Sequence, residues 1–407
     1  MNAKFYKFIQ HIIHMPTRQK ILILLAIAGC FTLYANLNRE QKNKNADHFT
    51  AKIETAIDST KYKQIDKILT DAFNEGRFNG HVIYAEKGKI LYNSTFGYED
   101  LKTKKPLTDT SIFQLASTSK PFTAIAILKL HQEKKLDINQ PVIFYLPDFP
   151  YKNVTIKHLL QHRSGLPNYM NLSHKNWDYS KSMTNNDLTP LLKKTKARLQ
   201  FNPDSRFQYS NTNYAYLANI VEKASKQSFH EYMDTEIFQP LGMYNTYVYS
   251  HDKRHTYNAV KGYDFNQKRG FYERKADYLD GVAGDKGIFS TANDLFLFDQ
   301  ALHNHEIISK DLLDLAFTPA KPFDEKHNRD YGLGFRLKLD DNNLPVAYHH
   351  GWWRGFRTYF IHDYHNQRTL IWLNNRSDVQ IAAFMGAILE QTGLSDEEQL
   401  ALGGGEN

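Results

Sequence analysis

The 407-residue chain is 41% apolar and 14% aromatic, enough for a sizeable core, which excludes a disordered or fibrous protein. Its net charge of +7 is concentrated at one end: residues 1–50 hold seven basic and two acidic side chains, so the remainder is close to neutral and a nucleic-acid partner is not expected. With Cys30 the one cysteine, no disulfide can form within the chain.

In chain order, residues 1–20 form a basic N-terminal region. Residues 21–37, ILILLAIAGCFTLYANL, are an uncharged run just long enough to approach the roughly 30 Å of a bilayer core. This run is consistent with an uncleaved signal anchor, with a lipoprotein signal processed at Cys30 after Ile27-Ala28-Gly29, or with a cleaved signal that releases the protein. All three place the rest of the protein outside the cytoplasm, and the first two hold it to the membrane on the periplasmic side or the cell surface. Residues 38–50 are a polar linker, and 51–395 read as one domain.

Within that domain, Ile53, Ile57, Ile65, Ile68, Leu69 and Phe73 fall at helical spacing. Gly80 to Asn93 reads as a hairpin turning at Glu86-Lys87-Gly88. Phe113 to Leu130, FQLASTSKPFTAIAILKL, is an apolar helix entered through polar residues. Pro121 confines its start to the neighbourhood of Ser117, because proline is tolerated in a first turn, where N–H groups lack partners. Residues 136–278 read as a helical insert, with helices at Ile156–Gln161, Thr212–Ser225 and Phe229–Phe238 and a polar, irregular loop over Asn168–Leu188. Glycines 281, 284 and 287 mark a tight passage before a helix at 291–301. Strands at Leu333–Leu339, Val346–His349, Phe356–His362 and Thr369–Leu373 follow too closely for parallel crossovers. The expected sheet is therefore mostly antiparallel and joins the N-terminal hairpin to these strands. An apolar helix at Ile381–Leu389 and a polar, Gly-rich tail at 396–407 complete the chain.

Two spacings carry chemistry. Positions i and i+3 share a helical face, so the Lys120 amine lies within reach of the Ser117 hydroxyl at the positive end of a buried helix, where a hydroxyl becomes nucleophilic. Tyr209 and Asn211 sit in a loop that opens onto a new helix, a junction that can aim a phenol into a cleft. Neither spacing is rare: Ser250 to Lys253 repeats the first, and Tyr34 to Asn36 the second.

Together these residues resemble the serine β-lactamase and penicillin-binding-protein superfamily, in its branch of class C β-lactamases, D-alanyl-D-alanine carboxypeptidases and family VIII esterases. Ser117-Thr118-Ser119-Lys120 is similar to the nucleophile motif, Tyr209-Ser210-Asn211 to the second motif and His349-His350-Gly351 to the third. Flanking stretches agree, among them Leu159 to Leu166, Gly284 to Thr291 and Tyr331 to Gly334. The resemblance implies an α/β (α+β) fold, a mostly antiparallel sheet flanked by helices with an inserted all-helical subdomain. It also implies a serine hydrolase that forms an acyl-enzyme on an ester or amide, with D-amino-acid peptides or cell-wall compounds as the substrate class. Ser117 would be the nucleophile, Lys120 and Tyr209 the proton-transfer pair, and Asn211 a partner of Lys120 and of the substrate amide. The N–H groups of Ser117 and Trp352 would form the oxyanion hole, with His349, His350 and Gly351 positioning the substrate. No cofactor or metal is implied.

The third motif departs from the usual pattern. His350 stands where a small hydroxyl residue usually helps to bind a carboxylate, and Trp352 and Trp353 add bulk. This shifts the expectation away from β-lactams, with Trp353, Arg354 and Arg357 lining the pocket and a carboxylesterase with little peptidase or lactamase activity as the alternative. A non-catalytic binding protein on the same fold is the opposing reading. His162, near the turn after a short helix, reads as structural. The histidines 349, 350, 362 and 365 lack a metal-ligand spacing with nearby acids.

Overall fold

A computed structural model describes residues 60–250, 259–320, 330–340, 342–378 and 388. The expected basic region, anchor or lipoprotein segment, linker, C-terminal helix and tail lie outside these residues, apart from Ile388. Among the described residues, no helix is long and apolar enough to cross a membrane.

The centre is a seven-stranded, wholly antiparallel sheet. From one edge to the other its strands are Asp330–Tyr331, Arg336–Leu339, Pro345–Trp353, Phe356–Asp363, Arg368–Asn374, Gly80–Glu86 and Lys89–Phe96. The N-terminal hairpin thus completes the sheet through the last strand, Gly80 lying opposite Asn374. One face is covered by helix Thr60–Asn74, whose Ile65, Leu69 and Ala72 join Phe78, Tyr84, Tyr92, Trp372 and Ile388 in an apolar cluster. Against the other face packs helix Ser119–Gln132, buried on all sides from Ser119 to Leu128. Phe122 stacks on Phe298 of helix Ala292–His303, with ring centres 3.9 Å apart.

The late strands differ from the expected bounds chiefly at two places: the strand expected to end at His349 runs on to Trp353, taking in His350 and Gly351, and the strand before it starts late. The strand expected to start at Leu333 begins at Arg336, because Gly334 takes a left-handed φ of 98° and a Cβ there would collide with Ala124 of the buried helix. The hairpin between Trp353 and Phe356 turns on Arg354 and Gly355, φ 48° and 85°, the positive-φ pair that suits the twist of two antiparallel strands.

Helices run from Ile156 to Phe238, after which a short strand, Tyr247–Val248, pairs with Ile288–Ser290, and a hairpin joins Tyr263–Asn266 to Gly270–Glu273. The stretch expected as an irregular surface loop instead holds helix Tyr169–Asn176 and a single turn at Asn185–Asp187. Its polar composition hides the reason. Asn168 caps the helix by accepting the Met170 N–H, and Tyr169 is wholly buried with its hydroxyl hydrogen-bonded to Asp285.

Candidate active site

Ser117 lies in a tight turn, Ala116–Thr118, that feeds directly into helix Ser119–Gln132. Ala116 holds a φ of 51°, a costly conformation for a residue with a Cβ, so the turn must be held from outside. The Thr358 hydroxyl does this, donating to the Leu115 carbonyl at 2.7 Å and lying 2.9 Å from the Thr118 hydroxyl. Gly351 lets the neighbouring strand approach. A Cβ there would sit 2.9 Å from Ser117 N, 2.5 Å from Thr358 Oγ1 and closer still to the Leu115 carbonyl. Sequence reasoning missed Thr358, which is 243 residues from its partner and carries no local signal.

Lys120, fully buried, joins three segments of the chain. Its Nζ lies 2.9 Å from Ser117 Oγ, 2.9 Å from Asn211 Oδ1 and 2.7 Å from the Asp285 carbonyl oxygen. The last two can only accept hydrogens, so they claim two N–H bonds of the lysine. The third direction faces the serine: a neutral amine would accept the Ser117 proton there, and an ammonium would return it. Asp285 was not foreseen as a partner. Its carbonyl reaches the lysine because Gly284 and Gly287, with φ of 97° and 95°, fold the glycine-rich passage sharply. Behind it, the Asp285 carboxylate accepts from Tyr169 OH at 3.1 Å, and Lys286 Nζ donates to the same phenol oxygen at 2.8 Å.

Tyr209, half-buried, lies with its ring centre 4.9 Å from Lys120 Nζ and 4.2 Å from the His162 ring. His162 does more than fill a turn. Its Nδ1 accepts from the Ser210 N–H at 3.1 Å and from Asn213 Nδ2 at 3.0 Å, which fixes the residue between Tyr209 and Asn211. Two donors at Nδ1 leave the proton on Nε2. Burial, followed by the charges of Lys120 and Arg336, holds this imidazole neutral, its pKa well below the ordinary value.

The third strand contributes by alternation. His349 and Gly351 face the serine turn, so His350 and Trp352 point to the opposite face of the sheet. His349 is buried. Its Nδ1 lies 2.8 Å from the His350 carbonyl, to which it must donate, leaving Nε2 to accept from Tyr331 OH at 3.1 Å. Burial first, then the Arg336 and Lys120 charges, hold it neutral. His350 lies over Tyr359, centres 5.7 Å apart, and Trp352 over the Arg357 guanidinium at 3.9 Å. Trp352 is half exposed, while Trp353 donates its indole N–H to Asp280 at 2.6 Å. Arg354 is held by Asp277 and Asp280. Ser117, Lys120, Tyr209, Asn211, His349 and Gly351 therefore come together, and the side chains of His350, Trp352, Arg354 and Arg357 do not join them.

A second cluster, Asp299, His303 and His362, lies elsewhere and could hold a metal ion. The Asp299 carboxylate already accepts from His362 at 2.6 Å, Thr369 at 2.5 Å and Gln300 at 2.9 Å.

Residues 65–387 match the beta-lactamase family. A penicillin-binding protein of Bacillus subtilis (strain 168) is 38% identical over 328 residues, spanning 78% of this chain and 72% of that protein. Among solved structures, a penicillin-binding protein from Bacillus halodurans is similar with a TM-score of 0.71 at 24% identity, covering 81% of this chain and 99% of that one. The D-amino acid amidase from Ochrobactrum anthropi SV3 is similar with a TM-score of 0.69 at 24% identity, covering 83% and 99%. At such identities the two structures speak to the fold alone.

Proposed function

The chain belongs to the beta-lactamase family of serine hydrolases, and from that premise we propose that Ser117 attacks the carbonyl of an ester or amide to form an acyl-enzyme that water then releases. The observation that carries this reading is the single Lys120 Nζ position shared by Ser117 Oγ, Asn211 Oδ1 and the Asp285 carbonyl. Lys120, with Tyr209 beside it, takes the serine proton and passes one to the leaving group. The N–H groups of Ser117 and Trp352 receive the oxyanion, Gly351 leaving room between strand and serine. His349 acts as a neutral hydrogen-bonding wall of the site, since its surroundings disfavour the charged form.

The substrate class we favour is a D-amino-acid peptide or a related cell-wall compound. Similarity to the penicillin-binding proteins supports it, as does the expected extracytoplasmic location given by residues 1–37, whether as anchor or as Cys30 lipoprotein. A carboxylesterase is the second reading, and one observation favours it. The middle residue of the third motif, His350, faces away from Ser117, and Arg354 is occupied by two carboxylates, so neither side chain offers a seat for a substrate carboxylate.

The test is to label wild type and Ser117→Ala with a fluorophosphonate and with fluorescent penicillin, then weigh the intact proteins. One adduct on wild type and none on the variant is expected; equal labelling of both overturns the assignment. Turnover of a p-nitrophenyl ester, a D-Ala-D-Ala peptide and nitrocefin then ranks the activities, with the ester expected fastest and nitrocefin slowest.

A further inference from the structure

The Asn211 amide is oriented by its neighbours. Its Oδ1 takes a hydrogen from Lys120, so its NH2 group is turned away from the lysine. The partner of that group is a thioether: Asn211 Nδ2 lies 3.5 Å from Met170 Sδ. Both side chains are half-buried, and Asn211 shares the Lys120 Nζ with Ser117 Oγ, each 2.9 Å from it. The Asn211–Met170 contact is thus one hydrogen-bonded residue removed from the nucleophile, within range of an acyl group's substituents.

The backbone beneath Met170 is held firmly. Its N–H donates to Asn168 Oδ1 at 3.1 Å, and the Tyr169 N–H donates to Thr212 Oγ1 at 2.7 Å. The Thr212 hydroxyl in turn donates to the Pro167 carbonyl at 2.6 Å, which fastens the start of this helix to the start of the Asn211 helix. Only the Met170 side chain, unbranched and with three rotatable bonds, is free to rearrange.

We propose, on the basis of the acyl-enzyme reading above, that Met170 is a specificity-determining residue whose sulfur occupies the acceptor position that the carbonyl of an acylamido group would take on Asn211 Nδ2. A plain alkanoyl or unsubstituted aminoacyl group leaves the sulfur in place. An acylamido group must displace it, gaining a better acceptor for Asn211 but dislodging a packed side chain from a helix that cannot yield. The protein therefore favours acyl groups without an amide at that position, which among the readings above sides with a carboxylesterase or a free D-aminoacyl substrate over an N-acylated stem peptide.

The test compares kcat/KM of the full chain for two p-nitrophenyl esters, the propionate and the N-acetyl-D-alaninate, in wild type, Met170→Ala and Met170→Leu. The quantity read is the ratio between the two esters, in which a general loss of activity cancels. Met170→Ala empties the position, and the ratio is expected to move about tenfold towards the acetamido ester, the worth of one exchanged hydrogen bond. Met170→Leu keeps the bulk without the acceptor and is expected to move it the same way by less. If the alanine variant does not fold, the leucine variant decides: a ratio within about twofold of wild type overturns the proposal. A shift towards the propionate in either folded variant also overturns it. An unmoved ratio with Ser117 still acylated overturns this proposal alone, whereas a wild type that is never acylated overturns the acyl-enzyme reading as well.

Discussion

Gly351 shows how a site can rest on a side chain that is absent. Its strand can lie against the serine turn only because no Cβ intervenes, since one would meet Thr358 Oγ1, Ser117 N and the Leu115 carbonyl. Gly351→Ala must push strand and turn apart, and overpacking of this kind costs about 1–3 kcal/mol. A lower melting temperature together with a fall in kcat/KM on the p-nitrophenyl ester is expected. Unchanged turnover would mean that the strand is not a wall of the site. The residues that gather at the candidate site were legible in sequence. Ser117 and Lys120 stood out by opening an apolar helix, and Tyr209 and Asn211 by preceding one. Their supports were not, because the Asp285 carbonyl lies 165 residues from Lys120, and Met170 lies 41 residues from Asn211. Such contacts belong to tertiary packing and leave no periodic trace.

Between elements, the decisive joint runs from strand Phe356–Asp363 to the serine turn. Thr358 spans it with one hydroxyl, fully buried. Thr358→Val keeps the shape but leaves the Leu115 carbonyl and the Thr118 hydroxyl without this partner, at a cost of about 1–3 kcal/mol in unfolding free energy. Release of the strained Ala116 turn should also misplace Ser117, lowering kcat/KM on the order of tenfold to a hundredfold. Urea unfolding and ester kinetics measure the two effects, and a variant that loses stability with full activity would show that the turn holds itself. Alternation and turn chemistry made the hairpin and late strands readable to within a few residues. The 168–188 stretch reads as a loop in sequence because its polar residues cap and brace a helix, while Tyr169, the residue that anchors it, is followed within the helix by Leu172 alone at helical spacing, too short an apolar stripe to stand out.

Taken whole, the molecule buries an unusual set of neutral imidazoles. His81, His158, His162, His303, His349 and His350 all have their pKa lowered, burial being the first cause in each. The unfolded chain takes up protons on these groups below about pH 6.5 while the folded one does not, so each can remove up to about 1.4 kcal/mol of stability per pH unit as the pH falls. Asp294, pushed up to about 6 by burial, works in the opposite direction but is a single group. The melting temperature is therefore expected to hold from pH 8 to 7 and to fall steeply from 6.5 to 5; a flat profile would contradict it. The strand order has a different consequence, one of time. Gly80–Glu86 is made about 280 residues before its partner Arg368–Asn374. At about 5–20 residues per second, the hairpin waits on the order of half a minute for the strand that secures it. Until that strand arrives the sheet cannot close, the condition a polypeptide needs if it is to be threaded through a narrow pore before it folds on itself.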